Sequence, residues 1–291
     1  MSVRIVALLV FFFFLFFRNA LASFSSETPL QQISDFSLSG YEDKGRKSWD
    51  ISGKSADVFT EVVKLKDISG NLYTEDEKVN LTAKKGDFNK SEDKVYLEDN
   101  VVITTSKGTK LTTDSMDWDR RNKLVATEDK VNINRDNINI SGVGALGEPN
   151  LNKVSLNKDI RVDISPLPTE IITDNLNKGK VLITCDGPLE VDYNKNIATF
   201  YNNVRVERQD IIIYSDRMDA FFATDRSEVK KVGSPQEPVA GSIEMIIAKG
   251  NVRIIRGDNI SYSDEAVYNA KDKKIILNGK PQLVFYSKEE F

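Results

Sequence analysis

A two-residue alternation of apolar and polar side chains constrains this chain more than any other feature. It recurs in segments of four to eight residues from about residue 30 onward, separated by Gly, Asn and Asp. Residues 95–103 are typical, because Val95, Leu97, Val101 and Ile103 are all apolar. In a β-strand, successive side chains point to opposite faces, so each such segment predicts one apolar face. No window sustains a 3.6-residue apolar stripe over three turns, and the sequence therefore predicts a nearly all-β fold.

An internal repeat supports the same prediction. The motif is Asn-Val-x-(Ile/Val), a turn, and then an apolar residue followed by x-(Thr/Ser)-Asp-x-(Met/Ala). Its three copies occupy residues 100–119, 203–219 and 250–269. Strand pairs that cannot bury a face alone are expected to stack on one another as successive rungs.

The N-terminus predicts export from the cytoplasm. Arg4 precedes an apolar run of thirteen residues, 5–17, and the sequence Ala20-Leu21-Ala22 fits a signal-peptidase site. A helix of that length spans about 20 Å, whereas the hydrocarbon core of a bilayer is about 30 Å thick. We therefore favour a signal peptide, residues 1–22, cleaved after Ala22, over a retained short membrane anchor.

Composition excludes several classes of function. The 291 residues carry a net charge of −4, contain no histidine and include a single cysteine, Cys185. Nucleic acid is not an expected partner, because binding phosphates requires a concentrated basic face. An intramolecular disulfide and a Cys or His metal cage are ruled out. We expect no catalytic residues, no metal and no cofactor, and we expect Cys185 to fill space in a strand.

Three local motifs invite a chemical interpretation. Residues 142–147 match G-x-G-x-x-G, but Pro149 follows and no helix pattern appears, so the sequence favours a glycine turn over a dinucleotide site. Asp114, Asp216 and Asp264 recur at one position of the repeat, which favours turn and backbone hydrogen bonding over calcium binding. The carboxylates beside Trp118 could suggest a carbohydrate-cleaving pair, but no supporting constellation accompanies them.

The first half of the chain resembles the LptC family of lipopolysaccharide-export proteins. The matching residues are Phe36-x-Leu38, Trp49, Leu81-Thr82-Ala83-x-x-Gly86, Val95-x-Leu97, Asn100-Val101, Leu111-x-Thr113-Asp114 and Ile140-Ser141-Gly142-x-Gly144. The second half resembles LptA and related OstA-like domains. The matching residues there are Gly187-Pro188-Leu189, Phe200-x-Asn202-Asn203-Val204, Ser215-Asp216-x-Met218, Gly250-Asn251-Val252, Gly257-Asp258 and Gly279-Lys280-Pro281.

The resemblance implies a β-jellyroll, a V-shaped open stack of antiparallel strands. It also implies a periplasmic bridge that shields the acyl chains of lipopolysaccharide between the inner and outer membranes. The implied partners are lipopolysaccharide, other Lpt-type jellyrolls joined by edge-strand addition, and components of the inner-membrane ABC transporter. The family's LptC proteins keep a transmembrane anchor, whereas this N-terminus has the pattern of a cleaved signal.

The residues themselves predict an aliphatic trough, because apolar contacts suit acyl chains and need no directional bonds. We expect its lining to come from the inward positions of the strands. These positions are Val101, Ile103, Leu111, Val204, Val206, Ile211, Ile213, Val252, Ile254, Ile275 and Leu277. The same residues could form an ordinary sealed core. Arg205, Arg208, Arg253 and Arg256 are expected on a solvated strand face rather than against lipid phosphates.

Two tandem units are predicted after the N-terminal segment, spanning residues 31–165 and 170–291. The boundary lies at Ser165-Pro166-Leu167-Pro168, where two prolines interrupt ladder pairing. A single continuous stack is equally compatible with the sequence, because there is no long linker. Two other functional classes stay open at this point: an envelope β-helical enzyme acting on polysaccharide, and a structural surface β-solenoid.

Overall fold

The computed structural model describes residues 28–41, 45–74, 77–165, 180–222, 243–272 and 274–285. These residues form seventeen β-strands in one sheet, which confirms the all-β prediction. The strands are β1 Gln31–Tyr41, β2 Lys47–Val58, β3 Val62–Tyr73, β4 Lys78–Asn89, β5 Lys94–Thr105, β6 Lys110–Asp119, β7 Leu124–Arg135, β8 Ile138–Gly147, β9 Lys153–Ile164, β10 Val181–Cys185, β11 Leu189–Asp192, β12 Ile197–Arg208, β13 Ile211–Phe222, β14 Ile243–Arg256, β15 Asn259–Asn269, β16 Lys274–Asn278 and β17 Gln282–Val284. Within the same residues no helix is long and apolar enough to cross a bilayer.

The strands form an antiparallel meander that continues across both sequence units. Each strand from β1 to β9 pairs with the next one along the chain. Strands β10 and β11 both pair with β9 on one side and with β12 on the other. The meander then runs through β13, β14 and β15, and β15 pairs with both β16 and β17. The predicted unit boundary therefore falls on a connection between two paired strands, and residues 166–179 of that connection lie outside the described residues.

Pairing is interrupted near the middle of every long strand, which divides it into two arms, and in the pairs from β4–β5 to β8–β9 and from β12–β13 to β14–β15 the register also shifts there. In β5 the register shifts between Glu98 and Val101, where Asp99 and Asn100 have φ values of 65° and 58°. The same shift recurs in β12 at Asn202 and Asn203. Such β-bulges bend a strand and increase its twist. Because the bulges of successive strands lie side by side, they form one bend line along the whole sheet.

The bend also changes the spacing between the side chains that point inward along each strand. In β5, β12 and β14 the buried residues on the two sides of the bend are four positions apart, as for Leu97 and Val101. In β6, β13 and β15 they are three positions apart, as for Thr113 and Met116. Both arms of a strand therefore present their apolar side chains to the same interior.

We call the two halves of the folded sheet wall A and wall B. Wall A contains, for example, residues 47–52, 101–105, 131–135, 204–208 and 252–256, and wall B contains residues 55–58, 94–98, 116–119, 197–201 and 265–269. The walls face each other across the interior. Arg120 in the turn that ends wall B after β6 lies 5.6 Å from the ring of Trp49 in wall A of β2. In a flat sheet these positions would be about 30–40 Å apart along strands of 10 to 12 residues.

Two proline-containing breaks replace the bulge in the second half. Strand β10 lies in wall A and β11 in wall B, and Gly187-Pro188 separates them at the bend through a cis peptide bond. Gly279, Lys280 and Pro281 occupy the corresponding place between β16 in wall B and β17 in wall A. Proline cannot donate to a ladder, so it is tolerated where pairing is already interrupted.

Different turns close the two walls. Several connections of wall B, such as residues 90–93 and 193–196, are four-residue loops in which the side chain of the last strand residue accepts backbone hydrogen bonds. Asn89 accepts from Ser91 and Glu92, and Asp192 accepts from Asn194 and Lys195. Three connections of wall A, at residues 136–137, 209–210 and 257–258, are two-residue turns with a residue of positive φ, such as Gly257 at 58°.

The glycine motif at residues 142–147 corrects one prediction. These residues belong to strand β8 and do not form a turn. Gly144 has a φ of 72° and lies against the side chain of Asn157, so a side chain there would overlap a neighbouring strand. The glycines allow β8 to bend and to lie close to β9, which alternation alone could not show. The predicted signal or anchor segment, residues 1–22, lies outside the described residues.

Candidate functional site

The space between the two walls is the main candidate site. A single cluster of buried apolar side chains fills it from Phe36 in β1 to Ala266 in β15, without interruption at the junction between the two sequence units. Leu156 of β9 and Leu189 of β11 are both fully buried there, at the junction itself. The interior is therefore one continuous apolar space along the stack.

The structure places most of the predicted trough residues inside this space. Val101, Ile103, Leu111, Val204, Val206, Ile213, Val252 and Ile254 are all buried. Ile211 and Leu277 are half-buried and pack against the same cluster. Ile275 pairs with Tyr268 on the inner side of β16, but it is 37% exposed because it lies on the last strand of wall B. Whether these residues contact lipid stays a prediction.

Sequence reasoning missed most of wall B. Nine of the eleven predicted residues belong to wall A, and only Ile275 and Leu277 belong to wall B. The facing surface is formed by larger buried side chains, namely Leu97, Met116, Leu156, Leu189, Phe200 and Met218. The repeat could have revealed them, since Met116 and Met218 occupy equivalent positions three residues after Thr113 and Ser215. Strict alternation assigns Met116 and Met218 to the outer face, because in β6 and β13 the inward residues across the bend are three positions apart.

The walls are in contact along this interior. Val101, Leu156, Val204 and Met218 have no solvent-exposed surface. A narrow apolar pocket remains between the walls, lined among others by Leu111, Met116, Val125, Leu151 and Val154. A long apolar ligand would therefore enter by separating the walls and replacing contacts between side chains with contacts of its own.

A few hydroxyl groups lie on the inner side of the bend line. The hydroxyls of Thr113 and Thr127 are 3.3 Å apart and share a hydrogen bond. Ser215 and Ser263 are buried, and their Oγ atoms have no hydrogen-bond partner among the described residues. These groups lie at the base of the interior, whereas most of the buried side chains in the two walls are apolar.

Aspartate side chains, including the repeated Asp216 and Asp264, contact neighbouring strands on the outer side of the bend. The Asn251 side-chain nitrogen donates to the Asp216 carboxylate at 2.8 Å, and the Asn203 side-chain nitrogen donates to Asp186 at 2.5 Å. Asp264 lies against the backbone of Gly279. Among the described residues, no three His, Cys, Asp or Glu side chains converge as a metal site would require. Asp114, Asp216 and Asp264 all lie within strands, so the predicted turn role is wrong, and Asp216 instead binds the side chain of Asn251 on the neighbouring strand.

Two pKa shifts distinguish the outer surface from the interior. On the outer face of wall A, the Asp50 carboxylate accepts hydrogen bonds from Lys47, Asn71 and Tyr73 at 2.7–2.8 Å. These bonds, that of Lys47 first, lower the pKa of Asp50 to about 2. Burial raises the pKa of the Cys185 thiol to about 11, so this cysteine stays protonated and unreactive at neutral pH.

The open side of the interior, opposite the bend line, is the mouth. Arg120 from wall B stacks on Trp49 of wall A and also lies 5.7 Å from the ring of Phe88 in wall B. Arg135 at the end of wall A lies 4.4 Å from the ring of Tyr193 in wall B. Both contacts therefore join the rims of the two walls across the mouth.

This arrangement offers apolar contact area rather than reactive groups. The carboxylates beside Trp118 illustrate the point, since Asp119 accepts hydrogen bonds from Asn122 and closes a turn. The interior would suit a ligand with long hydrocarbon chains and a polar end that stays at the mouth. It extends over fifteen strand positions from β1 at one edge of the sheet to β16 and β17 at the other.

Comparison with protein families identifies the kind of protein to which this arrangement belongs. The model described as "Lipopolysaccharide-assembly, LptC-related" matches residues 4–164, more than half of the chain. The chain belongs to the LptC-related lipopolysaccharide-assembly family. The model described as "LptA/(LptD N-terminal domain) LPS transport protein" matches residues 187–290. A search of individually curated proteins found no match.

Family membership confirms the resemblance on both halves of the chain. An LptC-related unit is followed by an LptA/LptD-type unit, and the protein is a lipopolysaccharide-transport bridge protein of the cell envelope, not an enzyme. The polysaccharide-active enzyme and the structural solenoid are thereby set aside. The continuous interior described above joins the two units of this LptC-related protein.

Proposed function

We propose that this LptC-related protein carries the acyl chains of lipopolysaccharide between walls A and B. The observation that supports the proposal most is the uninterrupted apolar cluster that crosses from the first unit into the second. Each buried CH₂ group gains about 0.8 kcal/mol, so about ten of them gain about 8 kcal/mol and can offset the loss of contacts between the walls. Energy for directional movement would come from the inner-membrane ABC transporter.

Photo-crosslinking at single positions tests this proposal. A crosslinking amino acid is placed at Ile103, Val206 or Ile254, which are buried, inner-face residues. Val102 and Ile255 serve as matched controls, because each is an apolar neighbour on the outer face of the same strand. Arg205 is a third, polar control on the outer face.

Lipopolysaccharide adducts are expected at the three inner positions and not at the controls. That result would establish both the carrier role and the assignment of faces. A folded, exported protein that forms no adduct at any inner position would refute the proposal, and it would indicate a sealed core instead.

We also propose that the two sheet edges bind neighbouring Lpt-type jellyrolls by strand addition. Among the described residues, β1 pairs only with β2, and β16 and β17 pair only with β15. Leu38 of β1 is 57% exposed, and Ile276 of β16 and Leu283 of β17 are 58% and 57% exposed. An edge with free backbone groups and exposed apolar side chains is a template for a further strand.

Crosslinking to a partner protein separates the edges from the rest of the surface. A photo-crosslinker at Leu38 or Leu283 is expected to capture another jellyroll protein of the pathway, identified by mass spectrometry. The same group at Val102, on the outer face of a central strand, is the control. Equal capture at all three positions would argue against strand addition.

For the N-terminal segment, we propose export with cleavage after Ala22. The mass of the mature protein decides this point, because cleavage leaves Ser23 as the first residue. A mature chain that still contains residues 5–17 would instead support a short inner-membrane anchor.

A further inference from the structure

Two cation–π contacts connect the walls across the mouth, one within the first unit and one between Arg135 of the first unit and Tyr193 of the second. Trp49 and Arg135 belong to wall A, and Arg120 and Tyr193 belong to the ends of wall B. The Arg120–Trp49 and Arg135–Tyr193 separations of 5.6 and 4.4 Å lie within the range of about 6 Å in which a guanidinium is attracted to an aromatic face. Neither contact joins neighbouring strands, so neither contributes to sheet pairing.

Both contacts are held in position by their surroundings. The Arg120 guanidinium is 3.0 Å from the Asp93 carboxylate. The Trp49 indole lies directly over the backbone of Gly40, where any side chain would overlap the ring. The backbone nitrogen of Tyr193 donates to the carbonyl of Asn152 at 2.8 Å, and its ring packs against the apolar cluster.

We propose that these two contacts are clasps that gate sideways access to the interior. A lipid whose acyl chains lie between the walls has its polar end at the mouth, so it cannot enter or leave sideways while the rims are joined. Contacts of this kind are weak enough to break and re-form, and arginine keeps its charge throughout. The role in lipid entry rests on the proposed carrier function, whereas the closure of the walls does not.

A distance measurement without lipid tests the closure. Nitroxide labels are attached to cysteines at two exposed positions in a Cys185→Ser background: Lys110, the first residue of β6 in wall A, and Lys123, in the turn between β6 and β7 at the end of wall B. The full chain is compared with Trp49→Leu, Arg120→Gln and the double variant. Each single variant is expected to broaden the distance distribution towards longer values, and the double variant is expected to add little, because either change alone breaks the same clasp.

The outer face provides a matched control. Arg253 lies 4.3 Å from the ring of Tyr214, but these residues face each other on adjacent strands β13 and β14 of wall A. Arg253→Gln and Tyr214→Leu remove the same type of contact without separating the walls. The label distances are expected to stay unchanged in both variants.

Loading kinetics test the gate. A photo-crosslinker at Ile133, a buried residue of wall A near the mouth, is used with purified protein and lipopolysaccharide micelles. We expect the adduct to form two- to tenfold faster in Arg120→Gln and in Tyr193→Leu than in the parent chain. Should Trp49→Leu fail to fold, Arg135→Gln and Tyr193→Leu provide the same comparison at the second clasp.

The outcomes distinguish the two proposals. Unchanged distances, or loading rates within twofold of the parent, would overturn the gate. Longer distances with no lipid adduct in any variant would support the clasps and refute the carrier function. Longer distances together with faster loading would support both.

Discussion

Hydroxyl groups at the bend illustrate how single atoms affect the stability of this stack. The Ser215 Oγ atom is buried without a partner among the described residues, whereas the Thr199 hydroxyl donates to the buried Asp219 carboxylate at 3.0 Å. A buried hydroxyl without a partner costs free energy, and one that is hydrogen-bonded contributes to stability. Substitutions of Ser215 and Thr199 therefore compare a buried hydroxyl that has no partner with one that is hydrogen-bonded.

We expect Ser215→Ala to leave the free energy of unfolding unchanged or to raise it by up to about 1 kcal/mol. Thr199→Val, which keeps the shape and removes the donor, is expected to lower it by about 1 kcal/mol. Urea unfolding followed by circular dichroism measures both. A clear loss of stability in Ser215→Ala would mean that its hydroxyl has a partner, such as an ordered water.

The Asp50 network predicts a pH dependence of stability. Its pKa of about 2 lies below the ordinary value of 3.8, so its contribution is complete above about pH 4 and is lost as the pH falls towards 2. Asp50→Asn is expected to lower stability by about 1 kcal/mol at pH 7 and to match the parent chain near pH 2. Thermal melts across this range measure the difference. Asp117→Asn, at an exposed position, is the control and is expected to have little effect at either pH.

At the scale of the strand, the bend is the feature with the largest structural consequence. Gly250 has a φ of 75° in the bulge of β14, and a side chain there would overlap the Asp216 carboxylate that binds Asn251. Gly257 has a φ of 58° in the following turn, but no atom lies within 4 Å of the position that a side chain would occupy. Comparing substitutions at the two glycines therefore separates the cost of the strained backbone from the cost of steric overlap with a neighbouring side chain.

Gly250→Ala is expected to lower stability by about 2 kcal/mol or more, since it adds a collision to the strain of the left-handed backbone. Gly257→Ala is expected to lower it by only about 1 kcal/mol. Chemical denaturation of both variants gives the comparison. Equal losses would show that the contact with Asp216 adds nothing to the bend.

For the whole molecule, the shared sheet and interior predict that the two units unfold together. Both tryptophans, Trp49 and Trp118, lie in the first unit, whereas Met218 is fully buried in the second. Met218→Ala is expected to cost about 2–5 kcal/mol. If the stack is cooperative, this change will lower the unfolding midpoint reported by tryptophan fluorescence as well as that reported by circular dichroism. A fluorescence midpoint that does not move would support two separate domains, as the boundary at residues 165–170 predicts.

Alternation and the repeat were sufficient to predict the fold class and the inner face of wall A. Val101, Val204 and Val252 occupy equivalent positions of three repeat copies, and all three are buried. The same reasoning failed for wall B residues such as Met116 and Met218, because in β6 and β13 the inward residues on the two sides of the bend are three positions apart, which inverts the alternation. It also failed for the glycines of β8, whose turn-like composition serves a bent strand.

The sequence by itself determined that this chain forms amphipathic strands, since burial of one face follows from side-chain order along each strand. It also carried the motifs by which the LptC-related and LptA-type units are recognised. Only the tertiary structure decided that both arms of each strand face one interior, that β9 continues into β10 and β11, and that Arg120 meets Trp49. These features depend on the folding of the sheet along its bend line, which brings together residues that are far apart both in the sequence and along the strands.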